Sequence, residues 1–274
     1  MKRFALIGKG IQKSFSPAIH SHCFNILSIE AKYNIIDMAS TSQILDVIKL
    51  LKEGRLDGIN ITAPYKQNFI KHIDQLNPRA ESIMSINCIH NNNGQLIGNN
   101  TDWFGFAKSI ENFKNYQSVA ILGAGGAVPA MIYYFESREG CPVYIIGRDR
   151  NKLDSFNKEN VSVHNIDDFN LDLNKCLIIN ATPFSAKIEW NNLIPKITST
   201  PLYAMDLNYD LKVTEFLNYF NSDVKIKNGL DMLIYQALMS IDIWFNENLS
   251  TSINVENLKK NINEQYYNKK NLRF

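Results

Sequence analysis

Short runs of consecutive apolar residues alternate along this chain with segments in which apolar positions recur every three or four residues, the pattern of an α/β protein. In the first third, Arg3 to Ile7, Tyr33 to Ile36, Gly58 to Ile61 and Ser85 to Ile89 read as strands, and Leu96 to Gly98 follows the turn Asn91-Asn92-Asn93-Gly94. Between them, Ile44, Leu45, Val47, Ile48 and Leu51 form a helical stripe, and Phe69, Ile70 and Ile73 also have helical spacing. Further on, Val119 to Leu122, Val143 to Ile146, Val161 to Val163, Leu177 to Ile179 and Leu202 to Met205 are near-continuous apolar runs, suited to a parallel sheet covered on both faces. Helices are predicted from Ser16-Pro17 through Phe24 and Leu27, from Trp103 to Phe113, from Leu230 to Phe245 and from Val255 to Ile262.

The run Val119 to Leu122 leads directly into Gly123-Ala124-Gly125-Gly126-Ala127 and then into Val128-Pro129-Ala130-Met131-Ile132. A strand, a glycine turn and a helix in that order make a phosphate cradle: Gly123 permits the tight turn, Gly125 lets a pyrophosphate approach the backbone, and free helix amides face its charge. Pro129 suits the first helical turn, where its missing amide has no intrahelical partner. Val128 stands where the glycine fingerprint ends in Gly or Ala, so a structural turn of another α/β protein is the alternative. Val143 to Ile146 follows at βαβ distance and ends in Gly147-Arg148-Asp149-Arg150, where the adenosine ribose of a dinucleotide would lie.

With 274 residues, 45% of them apolar, the chain can bury a large core, and two domains fit its length better than one. The net charge of +2, from 29 basic and 27 acidic residues, carries no field that argues for nucleic acid or an anionic membrane as partner. The basic run Asn268 to Arg273 reads as a solvated terminus. Cys23, Cys88, Cys141 and Cys176 form no C-x-x-C pair, so neither a zinc site nor a disulfide framework is expected. The run Phe4 to Ile7 is too short for a signal-peptide core, and Leu230 to Phe245 is too short and too polar to span a bilayer. A cytoplasmic, soluble protein is the expectation.

Several strand ends carry candidate chemistry. Ser14 and Ser16 flank the predicted start of a helix, with Ser16 a suitable N-cap; on an extended backbone both hydroxyls face one side and suit a small carboxylate, although capping alone explains them equally well. His20 and His22 point in different directions on that helix and make a poor metal pair. Asn60, Thr62 and Lys66 bring amide, hydroxyl and ammonium groups to the end of one strand. Either Thr101 or Asp102 can cap the helix that starts at Trp103. Asn180-Ala181-Thr182-Pro183 and Asp206-Leu207-Asn208-Tyr209 follow two later strands and line the crevice of a dinucleotide fold.

Taken together, Ser14-x-Ser16-Pro17, Asn60-Ile61-Thr62-Ala63-Pro64-Tyr65-Lys66, Asn99-Asn100-Thr101-Asp102, Gly123-Ala124-Gly125-Gly126-Ala127, Asn180-Ala181-Thr182-Pro183 and Gly229-Leu230-x-Met232-Leu233-x-x-Gln236 resemble the shikimate dehydrogenase family over nearly the whole chain. The resemblance implies an α/β substrate domain, residues 1–103 and 229–274, completed by the C-terminal helices, and a Rossmann-type NADP domain, residues 104–228. It implies NADP-dependent, reversible reduction of 3-dehydroshikimate to shikimate, with Lys66 and Asp102 as the catalytic pair. Ser14 and Ser16 are implied carboxylate binders, Thr62, Asn87, Asp102 and Gln236 surround the ring hydroxyls, and Tyr209 closes over substrate. Gly123 to Ala127, Arg148, Lys152, Thr182 and Gly229 are the implied cofactor residues, with no metal. Burial disfavours an ammonium and a neighbouring carboxylate favours it, so such a pair suits proton exchange with an alcohol.

The chain also departs from the family pattern. Lys13 replaces a usual His, Pro129 a usual Arg, and Gly147 the Asn of an Asn-Arg-Thr phosphate clamp. Asp149 stands at the Thr of that clamp and could bind a ribose 2′-hydroxyl, which favours NAD, whereas Arg148 and Lys152 suit a 2′-phosphate. Asp210 to Thr214 lacks a usual proline, and Phe184-Ser185 replaces a small glycine-containing loop. An NAD-dependent quinate/shikimate enzyme is the near alternative; an S-adenosylmethionine-dependent methyltransferase or a non-catalytic ligand sensor represents another class. Monomer and homodimer both remain open.

Overall fold

The computed structural model describes residues 1–138, 140–167, 169, 172–182, 199–220 and 222–267. They form two compact units, one of Met1–Phe106 with Leu233–Phe274 and one of Ala107–Met232. Pro183, Phe184, Ser185 and the basic run from Asn268 to Arg273 lie outside the described residues.

The first unit opens with β1 (Lys2–Gly8), α1 (Ser16–Ile26), β2 (Ala31–Asp37), α2 (Ile44–Lys52) and β3 (Gly58–Ile61), and continues through β4 (Gln75–Leu76), α3 (Pro78–Ile83), β5 (Cys88–Asn92), β6 (Gln95–Asn99) and α4 (Asp102–Ser109). Its sheet has the order β2-β1-β3-β5-β6-β4. β1 runs parallel to β2 and β3, β5 is antiparallel to β3 and β6, and β4 is parallel to β6. Alternation along β1 sends Ala5 and Ile7 into a core with Val47, Leu51, Ile59, Ile61 and Phe69, a face on which α2 lays its apolar stripe. Phe4, on the opposite face, stacks on Trp244 with ring centroids 4.3 Å apart.

In the second unit come β7 (Ser118–Leu122), α5 (Val128–Glu136), β8 (Val143–Gly147), α6 (Arg150–Asp154), β9 (Val161–Asn165), β10 (Cys176–Asn180), β11 (Tyr203–Asp206) and β12 (Lys225–Asn228). The six strands are parallel throughout, in the order β12-β11-β10-β7-β8-β9. This is the Rossmann order, with its switch point between β7 and β10, and the near-continuous apolar runs of its central strands follow from burial on both faces. The chain then enters α7 (Leu230–Phe245) and α8 (Val255–Tyr266). Both reinforce the first unit: Trp244 donates its ring N–H to the Ile89 carbonyl at 3.1 Å, and Tyr266 stacks on Phe15 at 3.9 Å. No helix among the described residues is long and apolar enough to cross a membrane.

Some local expectations need correction. β5 begins at Cys88 rather than Ser85, because the Ile86 amide turns to the Lys66 carbonyl at 3.2 Å. The helical spacing of Phe69, Ile70 and Ile73 yields only the 3-10 turn Ile70–His72, since Ile73 is extended and feeds β4. The helix predicted to reach Phe113 ends at Ser109, after which turns set Phe113 flat on Tyr203 at 4.2 Å.

Candidate active site

In the first unit the ends of β3, β5 and β6 bring polar side chains together. The Lys66 ammonium lies 2.5 Å from Asp102 Oδ2, with only 11% and 7% of the two side chains exposed. Lys66 follows β3 by five residues, and its backbone carbonyl accepts from Ile86 N, which ties its loop to the segment carrying Asn87. Asn87 is the hub. Its amide nitrogen donates to Asp102 Oδ1 at 2.8 Å and to Thr101 Oγ1 at 2.9 Å, and its oxygen accepts from Thr101 N at 2.6 Å. Both oxygens of the Asp102 carboxylate thus have a partner, and its orientation is set by Lys66 on one side and Asn87 on the other. Removing one member of such a buried pair leaves an uncompensated charge and costs about 3–5 kcal/mol.

Asp102 owes its freedom to its neighbour. Neither Thr101 nor Asp102 caps α4 with its side chain; Asn100 Oδ1 accepts from Asp102 N at 3.0 Å and Trp103 N at 3.4 Å. The capping role expected of Thr101 or Asp102 is therefore met by Asn100, and the carboxylate remains available to Lys66. Gln236, from α7, donates to the Leu233 carbonyl at 2.8 Å and puts its oxygen 3.5 Å from both Asn87 Nδ2 and Thr101 Oγ1, at the edge of bonding range. One turn further along α7, Ser240 Oγ accepts from Asn60 Nδ2 at 2.8 Å and lies 3.3 Å from Thr101 Oγ1. Ser240 was not apparent from the sequence; its only signal is the four-residue spacing from Gln236, which puts both on one helix face.

Ser14 and Ser16 meet with their hydroxyl oxygens 3.2 Å apart. The geometry differs from the extended capping arrangement: Phe15 is the N-cap, with helical φ −82° and ψ −8°, and Ser16 is already inside α1. The hydroxyls converge because Ser14 Oγ accepts from Ser16 N in a tight turn. Thr62 is half-buried just beyond β3. His20 is fully buried and donates from Nδ1 to the Ser16 carbonyl at 2.9 Å; burial lowers its pKa to about 4. No group of metal-ligating side chains occurs among the described residues.

The second unit offers backbone more than side chains. Gly123 has φ +108°, and a Cβ there would come within 3.0 Å of the backbone of Ala181 and Thr182. A Cβ at Gly125 would crowd the Ala181 carbonyl at 3.2 Å. The turn Gly123 to Ala127 thus lies bare against the end of β10 and opens α5 at Val128, with Pro129 in its first turn, an arrangement that fits a dinucleotide pyrophosphate. Thr182 is held by Asn180 Oδ1, which accepts from its amide at 3.1 Å and its hydroxyl at 2.6 Å. Arg148 is exposed just after β8. Asp149 caps α6, accepting from Lys152 N at 3.4 Å, and its carboxylate lies 3.7 Å from Lys152 Nζ. Tyr209 is half-buried after β11, and the Gly229 amide donates to the Asn208 carbonyl at 3.2 Å. Any Cβ on Gly229 would overlap the Leu207 carbonyl.

A Rossmann-ordered sheet with a bare glycine turn, and a second α/β unit with a buried amine–carboxylate pair, define the class as a two-unit α/β oxidoreductase of the dinucleotide-dependent kind. The family model described as "Shikimate dehydrogenase substrate binding domain" matches residues 6–89. Shikimate dehydrogenase (NADP(+)) of Chlorobium chlorochromatii is 30% identical over 270 residues, covering 91% of this chain and 93% of that protein. The crystal structure of shikimate dehydrogenase 1 from Peptoclostridium difficile is similar with a TM-score of 0.81 at 29% identity, over 97% of this chain and 98% of that one. A shikimate dehydrogenase crystallised with NADP+ is similar with a TM-score of 0.79 at 28% identity, over 97% and 96% of the two chains. The chain belongs to the shikimate dehydrogenase family.

Proposed function

We infer that this protein catalyses the reversible NADP-dependent reduction of 3-dehydroshikimate to shikimate, a step towards chorismate and the aromatic amino acids. The observation that carries this reading is the buried contact between Lys66 and Asp102, assembled from separate strand ends in a chain of this family. NADPH held along Gly123 to Ala127 would supply the hydride. Lys66 delivers a proton from its ammonium to the ketone oxygen as the alcohol forms, and takes it back in the oxidative direction. Asp102 holds the ammonium in place and accepts from the ring hydroxyl, while Asn87 fixes the carboxylate's other oxygen. Ser14 and Ser16, beside the start of α1, bind the substrate carboxylate, with Thr62 and Gln236 on its hydroxyls and Tyr209 closing over the ring. Gly229 lines the nicotinamide end.

For the cofactor we favour NADP over NAD. Arg148 is exposed and has no hydrogen-bond or ion-pair partner among the described residues, so its guanidinium is available to a 2′-phosphate. The Asp149 carboxylate is engaged in capping α6 beside Lys152, which leaves a cation at the same turn. The test is initial-rate measurement of reduced-nicotinamide absorbance with shikimate or quinate and each oxidised cofactor. Turnover of shikimate with NADP+ as the preferred pair supports the reading. Turnover only with quinate and NAD+ refutes it, and so does none with any pair.

A further inference from the structure

A buried carboxylate in the second unit has no role in the reaction described above. Asp206 ends β11, is 1% exposed, and has no ion-pair partner among the described residues. Leaving a carboxylate in such a place is costly unless every lone pair finds a donor. Here Oδ1 accepts from Asn180 Nδ2 at 2.9 Å and from Asn208 N and Nδ2 at 3.0 Å each, and Oδ2 accepts from the Thr214 hydroxyl at 2.5 Å. Burial pushes the carboxyl above its ordinary range, against the pull of these donors.

The donors come from three separate stretches of chain, and two lead directly to crevice groups. Asn180 uses its own oxygen to hold the amide and hydroxyl of Thr182. Asn208 uses its backbone carbonyl to hold the amide of Gly229, and Tyr209 is the next residue. We propose that Asp206 is a positioning residue for the nicotinamide half of the cofactor site: through Asn180 and Asn208 it sets the places of Thr182, Tyr209 and Gly229 without itself touching cofactor or substrate. The inference rests on the reading that this crevice holds the dinucleotide.

The test compares two ligands on each variant: NADPH, and adenosine 2′,5′-bisphosphate, which lacks the nicotinamide half, both by equilibrium fluorescence or calorimetric titration. Asp206→Ala is expected to weaken NADPH at least tenfold and to leave the adenosine ligand within about twofold of wild type. General destabilisation would not separate the two ligands. Asp206→Asn is expected to restore NADPH binding to within about twofold, because its oxygen can keep the three Oδ1 donors while the Thr214 hydroxyl turns to accept from its amide. Should Asp206→Ala not fold, Thr214→Val carries the test, with a threefold or greater loss expected for NADPH alone. Unchanged NADPH binding, equal weakening of both ligands, or a loss in Asp206→Asn as large as in Asp206→Ala would each overturn the proposal. Failure of the wild-type protein to bind either ligand would instead refute the dinucleotide reading on which it stands.

Discussion

The two units solve the problem of building a site by opposite means. In the first, side chains do the work: Lys66, Asn87, Thr101 and Asp102 are buried and bonded to one another, so each one's position depends on the others. In the second, the cradle is bare backbone at Gly123 and Gly125, and the charged residues Arg148, just after β8, and Lys152, in α6, stand exposed. The contrast bears on two of the places where the chain departs from its family. Pro129 and Asp149 fall in the second unit, in the first turn of α5 and at the exposed cap of α6, where a changed side chain displaces no buried partner; Gly147 is buried at the end of β8, where a Cβ would come within 3.1 Å of Leu153. A closed network of buried polar groups tolerates no such drift, because a lost partner leaves an unsatisfied charge or dipole.

Variants that attack each unit sharpen this contrast, and the largest effect belongs to the first. Lys66→Ala should lower kcat by a hundredfold to ten-thousandfold, about 3–5 kcal/mol in the barrier, in steady-state assays at saturating shikimate and NADP+. A kcat within threefold of wild type would remove Lys66 from the mechanism.

Next comes a pH effect from the same unit. His20 is buried against Tyr33, stacked at 3.9 Å, and its pKa is lowered from 6.5 to about 4 by burial. The unfolded chain therefore takes up this proton first, so the stabilising contribution is complete above about pH 6.5 and is lost as pH falls to about 4, by an amount on the order of 3 kcal/mol. Urea unfolding across that range should show the loss in wild type and a flatter profile in His20→Phe; parallel profiles would contradict it.

In the second unit, Gly123→Ala forces a Cβ onto a backbone with φ +108° and into contact with Ala181 and Thr182. Thermal or urea unfolding should register a cost of about 2 kcal/mol, with weaker NADPH binding alongside. Unchanged stability would mean that the turn is not constrained as described. Smallest is Arg148→Ala, expected to weaken NADPH about tenfold by titration and to leave NADH within about twofold. Equal weakening of the two would deny Arg148 its phosphate.

Much of the fold could be read directly from the sequence, because buried parallel strands advertise themselves as apolar runs and the glycine turn follows one of them without interruption. The shorter pieces gave weaker signals. β12 is an edge strand in which Ile226 is the only apolar residue, and β4 has two residues. α3 and α6 are a single turn or little more, too short for periodicity to appear. Around the site, strand-end placement pointed to Lys66, while the part of Asp102 beyond capping came only with the family resemblance, and how Asp102 is held could not be foreseen. Its freedom depends on Asn100 capping α4, whereas the sequence reading offers only Thr101 or Asp102 as the cap. The four donors gathered by Asp206 were equally hidden, since hydrogen bonds among residues 180, 208 and 214 leave no periodic trace.

The central claim is that Lys66 and Asp102 act together on one substrate hydroxyl, and a crystal structure of the protein with bound shikimate tests it most directly. The expected result is the oxidisable ring hydroxyl within about 3 Å of both Lys66 Nζ and an Asp102 carboxylate oxygen, with the substrate carboxylate on Ser14 and Ser16. Shikimate seated elsewhere, or bound with that hydroxyl out of reach of either side chain, would contradict it.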